Sequence, residues 1–157
     1  MHWAKADNQN VAMILLDFEK TYDRIEWHFV IAMLEKFGFP DYFCQWVKIL
    51  FKDSNTCIEI NGELSEAIPL GRSIRQGCHL VPTLYVIAAD AMNYILKSIE
   101  FGPPVKGISL PNNDEILIEQ LADDTTLFMN LEEDNFDRVV SRIELFCRAS
   151  KAKIARH

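Results

Sequence analysis

The stretch "EILIEQLADDTTLFMNL", residues 115–131, sets two adjacent aspartates, Asp123 and Asp124, between two apolar segments that read as strands over 115–122 and 125–131. Two readings compete at this turn. In one, the acids are solvated residues of a tight turn, where Asp is common. In the other, the pair is a hard-metal site, because Mg²⁺ takes oxygen ligands and is usually held by one or two carboxylates together with substrate phosphates. Two unit charges about 4 Å apart repel by about 1 kcal/mol in water and by about 4 kcal/mol at an effective dielectric of about 20. A divalent cation removes that repulsion, and a short hairpin gives its ligands a rigid mount.

Working outward, the next polar group that interrupts an apolar run is Asp17. It ends "VAMILLD" (11–17), a continuous apolar run that predicts a strand buried on both faces. A carboxylate there either caps the following turn or serves a site at the sheet edge. Lys20, Tyr22 and Asp23 make that turn rich in polar groups, and Trp27 is expected to pack in the core rather than stack on a base. A third candidate is "IRQGCHLVP" (74–82). Gln76-Gly77 reads either as plain turn chemistry or as a loop that lets backbone approach a ligand, with Gln76 offering an amide and Arg75 a charge for phosphate.

The rest of the chain supplies a scaffold. Ile25, Phe29, Ala32, Met33 and Phe37 give helical periodicity over 24–39, stopped by Gly38 and Pro40. A second helix is predicted over 41–53, with Asp41 as its N-cap and Phe43, Val47, Leu50 and Phe51 on its apolar face. Asn61-Gly62 centres a hairpin over 56–70. A mostly buried helix follows over 83–99, then loop and edge structure over 100–114. The last helix, 132–150, is predicted to turn Phe136, Val139, Val140, Ile143 and Phe146 inward. Helices and hairpins alternate irregularly, so the fold class is α+β and not a doubly wound parallel sheet.

With 157 residues, nearly half of them apolar, the chain suits one domain with a real core. Its net charge of −7 argues against a free-standing nucleic-acid binder, although a locally basic groove stays compatible with it. No apolar run approaches the roughly 20 residues that span a membrane, and the first residues lack a signal-peptide pattern, so an intracellular location is expected. Cys44, Cys57, Cys78 and Cys147 form no CxxC pair and read as buried free thiols, and the four histidines show no metal-ligand spacing with them.

None of the three candidate sites is strong alone, but together and in this order they are specific. "LLDFEKTYDRIEW" resembles the first palm motif of the reverse transcriptases of non-LTR (LINE-type) retrotransposons, close to LDFEKAYDRV-x-W. "RQGCHLVPTLY" resembles RQGCPLSPLLF, and "LADDTTLF" resembles the F/Y-ADD-T-x-LF signature. The spacers match as well: Gly38, Phe39 and Trp46, the "INGELSEAIPL" hairpin, and the aspartate of the "AADAMNYIL" helix. The resemblance runs from about residue 11 to residue 154, and extends more distantly to group II intron reverse transcriptases.

The resemblance implies an RNA-directed DNA polymerase domain: a palm-type antiparallel sheet packed with helices, inside a right hand of fingers, palm and thumb. It implies that Asp17, Asp123 and Asp124 are catalytic carboxylates holding two Mg²⁺ ions, with Mn²⁺ as a substitute. One ion would activate a primer 3′-hydroxyl and the other neutralise the dNTP triphosphate. The strands carrying Asp17 and Asp123 would then be neighbours in one sheet. The backbone from Phe18 through Lys20 to Thr21 would face the triphosphate, and Tyr22 would pack under the sugar. Gln76 and Gly77, with Arg75 beside them, would support the incoming nucleotide and the template base. Lys153 would match the lysine of the family's SGLKIN segment. The implied partners are an RNA template, a DNA primer and dNTP, with no membrane.

The departures are specific. Leu121 stands where an aromatic precedes ADD, His79, Val81 and Thr83 alter the QG loop, Thr21 stands where a smaller residue is usual, and "SKAKIARH" lacks the Gly and Asn of SGLKIN. By the same resemblance, residues 1–157 form a single partial domain, with incomplete fingers, no thumb, and the remainder in a parent polyprotein. The alternative reading is a non-catalytic remnant or an interaction module without turnover.

Overall fold

The computed structural model describes residues 10–72, 79–112, 114–121, 124–132 and 134–155, with the backbone alone at Thr21 and Tyr22. The chain starts with strand β1 (Val11–Asp17), then helices α1 (Thr21–Arg24), α2 (Trp27–Lys36) and α3 (Asp41–Phe51). Four short strands follow, β2 (Asn55–Thr56), β3 (Glu59–Ile60), β4 (Glu63–Leu64) and β5 (Ile68–Pro69). Helix α4 (Val81–Lys97), a 3₁₀ turn (Ile99–Phe101) and strands β6 (Ile108–Ser109), β7 (Glu115–Ile116), β8 (Ile118–Leu121) and β9 (Asp124–Asn130) lead to α5 (Asn135–Ser150). Mixed helices with antiparallel pairing bear out the α+β class.

The central sheet has the order β1-β9-β8, all antiparallel. β1 and β9 are neighbours along their whole length, from Val11 opposite Asn130 to Asp17 opposite Asp124. Residues directly opposite in an antiparallel pair share a face, and successive residues alternate faces. One face carries Ala12, Ile14 and Leu16 against Met129, Leu127 and Thr125, and it packs into the core. Behind it, α5 packs on β9 and on α4, and α2 packs on α3, α4 and α5.

The other face is open, which corrects the expectation of a strand buried on both sides. Met13 is 45% exposed and Leu15 73% exposed. Among the described residues the core packs against the inner face, so the apolar run of β1 has one buried and one exposed face.

The hairpin over 56–70 is two nested pairs, β2 with β5 and β3 with β4. Asn61 (φ 54°) and Gly62 (φ 87°) both take the positive φ that a tight two-residue hairpin turn requires. The predicted strand 115–122 is broken: β7 pairs with β6, whereas β8 pairs with β9. At the break, Phe128 N–H donates to the Leu117 carbonyl at 2.8 Å and Leu117 itself is buried.

Several inward-facing predictions shift. In α2 the buried residues are Phe29, Val30, Ile31 and Leu34, while Ala32 is exposed. Pro40, not Asp41, occupies the N-cap of α3, with no side-chain cap. In α5, Phe136 and Val140 are exposed, and Asn135, Val139, Arg142, Ile143, Phe146 and Ser150 form the buried stripe. The physical reason is that two polar residues find complete backbone partners. Asn135 donates to the Asn130 and Lys106 carbonyls and accepts from Lys106 N–H. Arg142 donates to the carbonyls of Ile95, Ser98, Gly102 and Pro103 and lies over the Phe101 ring. Burial, and then the neighbouring Arg138 charge, pushes the Arg142 guanidinium down from its ordinary pKa.

Trp27 stacks on Phe51 with ring centroids 4.9 Å apart, as a core-packing residue should. Cys44 is a buried free thiol; Cys57 lies exposed beside the hairpin, which corrects the reading of all four cysteines as buried. Cys147 is half-buried, and burial followed by the Glu144 charge pushes its thiol up. Cys78 lies outside the described residues.

Candidate active site on the open sheet face

The register of β1 against β9 brings Asp17 directly opposite Asp124 at one end of the sheet. The alternation that buries Leu16 and Thr125 turns Asp17 and Asp124 to the open side, where both are exposed. Leu121, at the end of β8, sits opposite Asp124, so it joins the same face. It is 79% exposed and presents an aliphatic side chain beside the acids. Glu119 and Leu15 flank Thr126 on that face.

These residues border a groove of about 810 Å³, lined by β1, β8, β9 and the C-terminal residues Ile154 and Ala155. The third candidate carboxylate, Asp123, lies outside the described residues. Among the described residues, no group of three or more His, Cys, Asp or Glu side chains gathers as a metal cluster. The two acids that are described fit a hard divalent cation by their chemistry. They are paired, exposed oxygen donors at one end of the sheet, and among the described residues neither ring nitrogen nor thiolate lines the groove.

The turn after β1 is shaped by an unusual backbone. Lys20 takes φ 44° and ψ 51°, a left-handed conformation rare for a residue with a side chain, and it precedes α1. Its side chain is exposed. Phe18 is not available to a ligand through its ring, which is buried edge-on against Phe146 at 5.9 Å. Its backbone pairs with Ile154. Lys153 is brought to the same turn and binds both carboxylate oxygens of Glu19, at 3.0 and 3.1 Å. Arg24 donates to Glu19 as well, at 2.8 Å. Those two cations hold the Glu19 carboxyl below its ordinary pKa, the hydrogen bond from Lys153 contributing most.

The structure therefore gathers Asp17, Asp124, Lys20 and Lys153 at one end of the sheet. Arg75, Gln76 and Gly77, and the side chains of Thr21 and Tyr22, lie outside the described residues. Glu19 was missed as a residue of interest. Its signal in the sequence was the period of two that places it on the same side as Asp17.

The molecule is thus an α+β domain whose sheet is covered on one face and acidic at one end of the other. The family model for reverse transcriptase (RNA-dependent DNA polymerase) matches residues 1–157, and the chain belongs to that family. It is 27% identical over 155 residues, 98% of its length, to the "Transposon TX1 uncharacterized 149 kDa protein" of Xenopus laevis. It is also 27% identical over 112 residues, 71% of its length, to the "RNA-directed DNA polymerase from mobile element jockey" of Drosophila melanogaster. The chain spans 11% of the length of each of these relatives. The resemblance to reverse transcriptases of the LINE type is borne out by these matches. Among the described residues, no helix is long and apolar enough to cross a membrane.

Proposed function

We propose that this chain is the palm part of an RNA-directed DNA polymerase, extending a DNA primer on an RNA template with dNTP substrates. The observation that carries the reading is the register pairing of Asp17 with Asp124 on an uncovered sheet face, in a chain of the reverse transcriptase family. Asp17 and Asp124, joined by Asp123, hold divalent cations, Mg²⁺ in the first place and Mn²⁺ as a substitute. Bound there, the cations supply charge neutralisation for a transferring phosphoryl group and lower the pKa of the attacking hydroxyl.

The chain's own residues do the positioning. The paired β1 and β9 fix the two carboxylates on one side, so little reorganisation is needed when charge develops. Lys20 and the turn from Phe18 to Thr21, with Tyr22 beyond it, border the nucleotide. Arg75, Gln76 and Gly77 support the nucleotide and the template base, and Lys153 lies at the triphosphate side. The open apolar face around Met13 and Leu15 is the floor over which the template-primer passes. Residues 1–157 form a single partial domain of fingers and palm, completed by other parts of a longer protein, within the cell.

Primer extension tests this. With an RNA template, a DNA primer and dNTPs, incorporation should require Mg²⁺ or Mn²⁺ and should fall by at least about 100-fold in Asp17→Asn and in Asp124→Asn, the usual scale for losing a group that stabilises developing charge. Incorporation that survives both substitutions contradicts the reading.

A further inference from the structure

The carboxylate pair shares its face with a cation. Residues 153–155 run beside the end of β1: Ala155 N–H donates to the Asp17 carbonyl and Glu19 N–H to the Lys153 carbonyl, each at 2.8 Å. Between them Phe18 stands opposite Ile154 in an antiparallel bridge. Asp17 is exposed, Phe18 is buried and Glu19 is half-buried, so Asp17 and Glu19 lie on the open side and Phe18 on the core side. Lys153, facing Glu19 across this added strand, is on the open side too.

Lys153 therefore lies opposite Glu19 on the edge strand beside β1, two positions along from Ala155, which faces Asp17. An ammonium released on this side is attracted by the exposed Asp17 and Asp124 carboxylates, the attraction falling with distance and with salt. Bound to them, it occupies the oxygens a divalent cation needs. Glu19 binds the ammonium through both of its oxygens, and Arg24 anchors the same carboxylate from the side of α1.

We propose that Glu19 is a positioning residue that pins the Lys153 ammonium on the 153–155 strand and keeps it off the Asp17–Asp124 pair. The inference rests on the reading of Asp17 and Asp124 as cation ligands. It assigns to Glu19 a role that is neither ligation nor plain fold support, since removing the lysine should cancel the loss of the glutamate.

The test compares Mn²⁺ affinity, read from the electron paramagnetic resonance signal of free Mn²⁺, in wild type, Glu19→Gln, Lys153→Gln and the double variant. Glu19→Gln should weaken Mn²⁺ binding roughly fivefold, the ceiling expected for one exposed ion pair. Lys153→Gln alone should bind at least as well as wild type, and the double variant should recover wild-type affinity. Equal weakening in Glu19→Gln and in the double variant would show a structural role and overturn the proposal, as would unchanged affinity in Glu19→Gln.

A metal-free measurement separates this proposal from the metal reading. In Glu19→Gln the side-chain carboxyl ¹³C signals of Asp17 and Asp124 should shift at pH 7 as the ammonium arrives, and Lys153→Gln should reverse the shift. Unmoved signals overturn the proposal. Failure of wild type to bind Mn²⁺ at Asp17 and Asp124 overturns the metal reading instead.

Discussion

The two faces of the β1-β9-β8 sheet are built from the same strands, yet they do opposite work. On the inner face every β1–β9 pair is apolar or a small hydroxyl: Ala12 with Met129, Ile14 with Leu127, Leu16 with Thr125. On the open face the pairs are Val11 with Asn130, Met13 with Phe128, Leu15 with Thr126 and Asp17 with Asp124. The first set excludes water and holds the fold. The second set leaves a flat floor that ends in two acids. A period of two lets one short strand serve both purposes, because each residue answers to only one side. The uncovered apolar residues cost little stability where they stand, and they leave room for a large ligand to approach the carboxylates.

Truncation on the inner face should have the largest effect. Leu127 is 1% exposed, so Leu127→Ala should cost about 3 kcal/mol in urea unfolding, from lost transfer energy plus a cavity. Next is the polar support behind that face. Arg142→Met should cost about 2 kcal/mol, because four carbonyls at the end of α4 and in the loop after it lose their donor. A smaller effect of opposite sign is expected at the start of the added edge strand. Lys151 takes φ 63°, so Lys151→Gly should raise stability by about 0.5–1 kcal/mol by relieving a left-handed side-chain residue. The smallest effect belongs to the open face: Leu15→Ser should change stability by no more than about 0.5 kcal/mol. A cost for Leu15→Ser as large as that for Leu127→Ala would erase the distinction between the faces.

The strands of this sheet were legible in the sequence, but the contrast between its faces was not. The strand 11–17 was placed at its observed bounds, the Asn61-Gly62 turn was read correctly, and the strands carrying Asp17 and Asp123 were expected to be neighbours in one sheet; Asp17 stands opposite Asp124, and Asp123 lies outside the described residues. What the sequence hid were the places where partners come from distant segments. "VAMILLD" looks the same whether one or two faces are covered, because covering depends on which helices return to the sheet. Arg142 and Asn135 look like surface residues until backbone carbonyls from residues 95–103 and 106–130 are placed around them. Phe136 and Val140 were assigned inward for the mirror of that reason: hydropathy alone cannot register that the polar residues of α5 already fill its buried stripe. At the candidate site, the acids were visible as motifs, but the Glu19 contacts to Arg24 and Lys153 were not, since residues 19 and 153 meet only through the folded edge strand.

The proposed function rests on one statement, that the open end of this sheet binds a divalent cation through Asp17 and Asp124. The most direct measurement is Mn²⁺-induced line broadening across the amide spectrum of the wild-type chain and of Asp124→Asn. Broadening centred on the ends of β1 and β9 around Asp17 and Asp124, and abolished by Asp124→Asn, is the expected result. Broadening that is absent from that end of the sheet, or that persists unchanged in Asp124→Asn, would contradict the account.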